Sequence, residues 1–138
     1  MPEWAPDSET RFLAYKALRN YQVHSLLASK GVQEAVGDAR RVLGWVLREL
    51  SLLSPSSIEK VSRNLLLVVA IAAAAAWPYR SLDPDLASRL EQLISSLPAH
   101  WGKRLWEGLE SGLRGFERAL RDICLSSYPG SAGEVMAR

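Results

Sequence analysis

Apolar positions along the chain recur at spacings of three and four, the period of a helix, and no segment alternates as a half-buried strand does. The most regular series is Trp101, Leu105, Leu109, Leu113, Phe116, Leu120 and Ile123, which reads as one long helix with a single apolar face. Its other face is charged, with Glu110–Arg114 and Glu117–Arg121 in the order that favours i,i+4 pairing. Upstream, local signals set the boundaries of four more helices. Asp7-Ser8 offers N-caps for a first helix that Gly31 ends. A second spans about Val32–Leu53, and Ser54-Pro55 reads as the cap and first position of a third, continuing to Trp77 before Pro78. Asp83, Pro84 and Asp85 repeat that device for a fourth, which closes before Pro98. The pattern predicts an all-α bundle of about five helices forming one domain over residues 1–125, with 126–138 as a flexible tail.

The third helix stands apart. From Leu65 to Trp77 thirteen residues in succession are apolar, including five alanines, Ala72 to Ala76. Spanning a bilayer takes about 20 residues, so no membrane span is expected. A helix apolar all round is buried, as the centre of its own bundle or partly by neighbouring subunits. Alanines bury little area each, so they call for close helix approach.

Composition narrows the chemistry. Apolar residues make up 48% of the 138 and charged residues 23%, a globular balance. Cys124 is the only cysteine and His24 and His100 the only histidines, so no disulfide and no metal or cofactor site is expected. The opening "MPEWAPDSET" lacks an apolar stretch, so the reading expects no secretory signal and a place in a virion or the cytoplasm.

The net charge of +2 hides an uneven distribution: residues 11–51 carry seven bases against three acids. In the second helix, Val32, Ala35, Val36, Ala39, Val42, Leu43, Val46, Leu47 and Leu50 form the apolar half. Opposite runs a narrow stripe of Gly37, Arg41, Gly44 and Arg48, with Arg40 beside it. A glycine inside an exposed helix costs about 1 kcal/mol relative to alanine, so two on one stripe require a reason. Two are open: a nucleic-acid backbone lying along the stripe, or a second protein helix packing there with Arg48 paired to an acid.

The first helix mixes bases and aromatics, Arg11, Phe12, Tyr15, Lys16, Arg19, Tyr21, His24 and Lys30, with no acid between Arg11 and Gln33. It has no clean apolar face, which fits a helix held between protein on one side and a polyanion or partner subunit on the other. Its aromatics either stack on the bases of a single strand or fill gaps in the core, and core filling is expected for Phe12 and Tyr15. Further along, Arg114, Arg118 and Arg121 alternate with acids and read as a solvated, salt-bridged face. Gly108 and Gly112, with Gly115 beyond, point to close approach by another helix.

No catalytic set stands out. Asp83 and Asp85 are explained by capping, and no Ser/His/Asp combination, phosphate loop or carboxylate pair is present. The one enzymatic pattern is "RNYQVH", Arg19 to His24, which resembles the Arg-x4-His motif of the helical HEPN ribonucleases. There the Arg and His act at the scissile phosphate, often across a dimer.

Two further resemblances bear on function. "AAAAAWPYRSLDPDLASRLEQLISSLP" is an apolar helix ending on an aromatic, a short turn, then a Pro-capped helix bearing leucines. Over about residues 65–98 the chain resembles the major coat proteins of archaeal rod-shaped and filamentous viruses. The likeness implies an all-α subunit whose assemblies enclose double-stranded DNA. In size and character the chain is also similar to the small helical subunits of CRISPR effector complexes, which line a nucleic-acid channel. The expectation is therefore a non-enzymatic subunit that self-assembles, or joins a paralogous subunit, and binds nucleic-acid backbone without sequence specificity. Double-stranded DNA is the favoured polymer. The expected contacts are Arg11, Lys16, Arg19, Lys30, Arg40, Arg41 and Arg48, with Gly37 and Gly44. A protein-only interaction module is the competing reading.

Overall fold

The computed structural model describes residues 3–53 and 62–125. Among them are six α-helices and no strand: α1 (Ser8–Ser29), α2 (Gln33–Ser51), α3 (Arg63–Ala76), α4 (Pro84–Ser95), α5 (Ala99–Glu110) and α6 (Leu113–Leu125). The architecture is an all-α bundle. No helix of the described residues is long and apolar enough to cross a membrane. The Ser54-Pro55 boundary and the tail 126–138 lie outside the described residues.

The caps of α1 and α4 form where local chemistry placed them. Asp7 accepts a hydrogen bond from the Thr10 N–H (2.8 Å), and Asp83 Oδ1 accepts from the N–H groups of Asp85 (2.9 Å) and Leu86 (3.3 Å). Gly31, at φ +68°, turns the chain out of α1. The start of the third helix differs from expectation. Ser62 is extended and its Oγ accepts from the Leu65 N–H (3.2 Å), so α3 begins at Arg63 under its own cap. At the far end a 3-10 turn, Trp77–Tyr79, takes the chain through Pro78. Arg80 folds back over it, its guanidinium 3.7 Å from the centroid of the Trp77 ring and donating to the Trp77 carbonyl (2.7 Å).

The core lies along α3, which packs against α1, α2, α4 and α6. Leu66, Leu67, Val69, Ala70 and the run from Ala72 to Trp77 are buried by this chain's own helices. Leu43, Leu86, Leu90, Leu93, Phe116 and Leu120 close over them. Alanines supply little transfer energy, so α3 depends on partners that come close. On α1 the buried residues are correspondingly small, Thr10, Ala14 and Ala17. At that distance the Asn20 side-chain amide reaches the Ile71 carbonyl of α3 (3.2 Å) and Thr10 Oγ1 donates to Asn64 Oδ1 (3.1 Å).

The expected long last helix is two helices folded back on each other. Gly112, at φ +92°, breaks it after Ser111, whose N–H bonds to the Glu107 and Gly108 carbonyls. The apolar series keeps its phase across the break, so Trp101, Leu105 and Leu109 from α5 meet Phe116, Leu120 and Ile123 from α6 in one core. Gly108 sits at the crossing. A Cβ there would lie 2.7 Å from that of Ala119, so the helix that approaches this glycine is the chain's own α6. Glu110 and Arg114 consequently belong to different helices, and the hairpin is tied instead by Arg104 to Asp122 (2.7 Å).

Candidate nucleic-acid interface

The nine expected contact residues fall into two groups with different surroundings. On α1, Lys16, Arg19 and Lys30 are exposed on the outer face, and Arg11 is half-buried at its edge. None of the four forms an ion pair among the described residues. The basic side chains of this face therefore keep their charge available to solvent.

Two aromatics share that face. Phe12 is 52% exposed and Tyr15 41%, and Leu26 follows further along. This corrects the expectation that Phe12 and Tyr15 fill gaps in the core. The inner side of α1 is set by Thr10, Ala14 and Ala17 against α3, and Phe12 and Tyr15 lie about 140–200° around the helix from Thr10. At 100° per residue, Phe12, Tyr15, Lys16, Arg19, Leu26 and Lys30 form one stripe along the helix. Lys16 reaches back so that Nζ stands 6.0 Å from the Phe12 ring centroid.

In the second group two of the three arginines are neutralised. On α2, Arg40 pairs with Asp83 and, at 3.4 Å, with Asp85, both at the start of α4. Arg41 pairs with Asp38 one turn back on the same helix. Asp85 also holds Arg89 (3.1 Å), and the Arg89 guanidinium lies over Gly44, where an added Cβ would be 3.0 Å from Nη1. That accounts for one of the two stripe glycines: the missing side chain makes room for an arginine of α4. Gly37 faces open space, and Arg48 is exposed with no acidic partner among the described residues. Val42, expected inside, is 42% exposed beside Trp45 at 55%.

The Arg-x4-His pair does not converge. Five residues on a helix separate side chains by about 140°. Arg19 points outward, whereas His24 turns inward, its Nδ1 sharing a hydrogen bond with the buried Tyr79 hydroxyl (2.7 Å). Burial holds the His24 imidazole below its ordinary pKa of 6.5, against an opposing pull from Asp38. Tyr21, one turn earlier, donates to the Leu109 carbonyl (3.3 Å) and stacks on Phe116, fixing α1 to the α5–α6 hairpin. Desolvation pushes the thiol of buried Cys124 up to about 11, so it is protonated and inert near neutrality. Among the described residues no group of His, Cys, Asp and Glu converges as metal ligands do.

No family model matches the chain, and no curated protein or solved structure is significantly similar to it. The likenesses to virus coats, CRISPR subunits and HEPN ribonucleases therefore rest on residue pattern alone.

Proposed function

We propose that this chain is a non-enzymatic structural subunit that binds nucleic-acid backbone without reading sequence and self-assembles along it, in the manner of a coat or nucleoprotein. The observation that carries this is the outer face of α1, where Lys16, Arg19 and Lys30 stand exposed, without an ion-pair partner among the described residues, on a segment free of acids. A polyanion recruits such cations by displacing its own counterions, and many weak contacts along an assembly make strong charge on each subunit unnecessary. The ion pairs on α2 move the centre of the proposed contact from α2 to α1. The inward turn of His24 onto the buried Tyr79 hydroxyl favours a binding role over ribonuclease chemistry. Exposed Val42 and Trp45 on the flank of α2 offer apolar area of the kind neighbouring subunits bury. That same flank favours the second reading, a module that binds only protein. A CRISPR-type subunit would use α1 in the same way, toward a channel.

The test is light scattering of the purified chain with long duplex and long single-stranded DNA, at low and high salt. Growth into large species at low salt, reversed at high salt, is expected. A small species indifferent to both polymers would leave the protein-only module.

A further inference from the structure

Resting on that reading, we propose that the polymer seated on α1 is single-stranded and that Phe12 and Tyr15 are its base-stacking platform. Both rings are exposed, on the same stripe as Lys16 and Arg19. A duplex offers a helix on its surface phosphates, sugars and groove edges, and the flat faces of its bases are hidden inside its own stack. Cations alone serve that contact, and exposed rings gain little from it. A single strand presents both components at once, phosphates and free base faces. The pairing of rings with cations on one helical stripe matches that combination.

The geometry is consistent along the axis. At 1.5 Å rise per residue, Phe12 and Tyr15 are offset by about 4.5 Å along α1, within reach of neighbouring bases of one strand, and Arg19 lies about 6 Å beyond Tyr15. Lys16 sits between Tyr15 and Arg19 with its ammonium over one face of the Phe12 ring, 6.0 Å from the centroid, and a base stacks on the other face. Two neighbouring bases therefore meet the two rings while the connecting phosphates meet Lys16 and Arg19. The direction of the strand follows from charge. Glu9 occupies the same side one turn before the rings, and the acid-free stretch runs the other way to Lys30. The strand extends from the rings toward the C-terminal end of α1, passing Leu26, 57% exposed.

Alternative occupants fit less well. The flank of α2 with Val42 and Trp45 has one cation without an acidic partner among the described residues, Arg48, whereas the α1 stripe joins two rings to Lys16, Arg19 and Lys30. A protein partner for α1 has to present acids and apolar groups in register; in a second copy Asp83, Asp85 and Asp38 are engaged by Arg40, Arg41 and Arg89, which leaves exposed glutamates such as Glu49 and Glu91, and the oligomeric state decides between such a copy and a strand.

The experiment is fluorescence anisotropy with a labelled 20-nucleotide strand of mixed sequence and with the same strand annealed to its complement, across a salt series. Wild type is compared with F12A/Y15A and with K16Q/R19Q, and the oligomeric state of each without nucleic acid is measured by sedimentation. Because both rings are exposed, F12A/Y15A keeps its fold, verified by its melting temperature. Wild type binds the single strand more tightly than the duplex. F12A/Y15A weakens single-strand binding about tenfold or more with its salt slope unchanged, and leaves duplex binding alone. K16Q/R19Q weakens both and flattens both slopes. Duplex binding equal to or tighter than single-strand binding, with F12A/Y15A silent on both, overturns the stacking platform and leaves the polyanion reading standing. Binding of neither polymer by wild type overturns both. A change of oligomeric state in F12A/Y15A without nucleic acid, and no change in strand affinity, assigns the rings to a protein interface and overturns the proposal.

Discussion

Helices α1 and α2 carry similar numbers of basic residues and differ in what faces them. On α2, Arg40 and Arg41 meet Asp83, Asp85 and Asp38, and Arg89 reaches across from α4 to lie over Gly44. On α1, Lys16, Arg19 and Lys30 meet solvent, with two exposed rings, Phe12 and Tyr15, just before them. The pairs on α2 are exposed and contribute about 0–1 kcal/mol each to stability, so their main consequence is electrostatic: they cancel field where α1 leaves it free. Counting cations along a sequence thus misplaces a binding face when the cancelling acids come from another helix.

The largest effect should follow reversal of the α1 charges. K16E/R19E changes four charge units on the proposed contact face. At about 0.7 counterions per phosphate contact, affinity for a single strand at 0.1 M salt should fall about a hundredfold. R40Q/R41Q removes two formal charges that are already paired, and its affinity should stay within about threefold of wild type. Anisotropy titrations of the two variants side by side measure this. Equal losses would show that the ion pairs of α2 open to the polymer and that the two helices act as one surface.

A second, smaller effect concerns how α1 is anchored on its inner side. Tyr79 is fully buried and its hydroxyl is bonded to His24, so Tyr79→Phe leaves an imidazole nitrogen unpartnered and should cost about 1–2 kcal/mol. Acid should act on the same contact. Burial keeps the folded-state pKa of His24 below 6.5, so as pH falls through that value the unfolded chain takes up a proton that the folded chain resists. Stability should therefore decline on acidification below about 6.5. Further down, the Thr10 N–H holds the Asp7 carboxyl below its ordinary 3.8, and protonating it releases the α1 cap in the same direction. Melting temperatures between pH 7.5 and 5 (roughly one proton uptake at His24) test this against His24→Gln. A variant with the slope of wild type would remove His24 as the cause.

Sequence alone delivered the parts of the fold that are local. Asp7, Gly31 and Asp83-Pro84 fix helix ends through bonds made within four residues, and the bundle class followed from apolar spacing. The α5–α6 turn was hidden because Leu109, Leu113 and Phe116 carry the three-four rhythm straight across it. Gly112 was visible, but as one of three glycines whose different roles only the fold separates: Gly112 turns the chain, while Gly108 and Gly115 admit the facing helix. The candidate site was legible on α1 as an acid-free mix of bases and rings. The exposure of the rings was not, since it depends on which side of α1 turns to α3, and a helix without a clean apolar face does not say so. On α2 the neutralising partners of Arg40 lie more than forty positions away, beyond any local pattern.

Gly37 sharpens the comparison at the scale of about 1 kcal/mol. A Cβ at Gly37 meets nothing within 4 Å, so Gly37→Ala should stabilise α2 by about that amount through helix propensity. Gly44→Ala gains the same propensity but presses on Arg89 Nη1, the far end of a flexible side chain, and should gain less. Thermal melts rank the two. If Gly37→Ala also weakens polymer binding or assembly, something approaches α2 closely at that point, and the stripe on α2 regains a role that the ion pairs deny it.

The smallest expected effect separates neutralisation from placement as the reason α2 is silent. D38N/D83N removes the partners of Arg41 and the nearer partner of Arg40, while asparagine at 83 still offers an oxygen to cap α4. If the acids are what distinguish α2 from α1, single-strand affinity at low salt should rise about threefold and return to wild type as salt is raised. An unchanged affinity at low salt would mean that α2 faces away from the polymer whatever its charge. The difference between the helices would then be one of position in the bundle, with the ion pairs serving only to hold α2 against the start of α4.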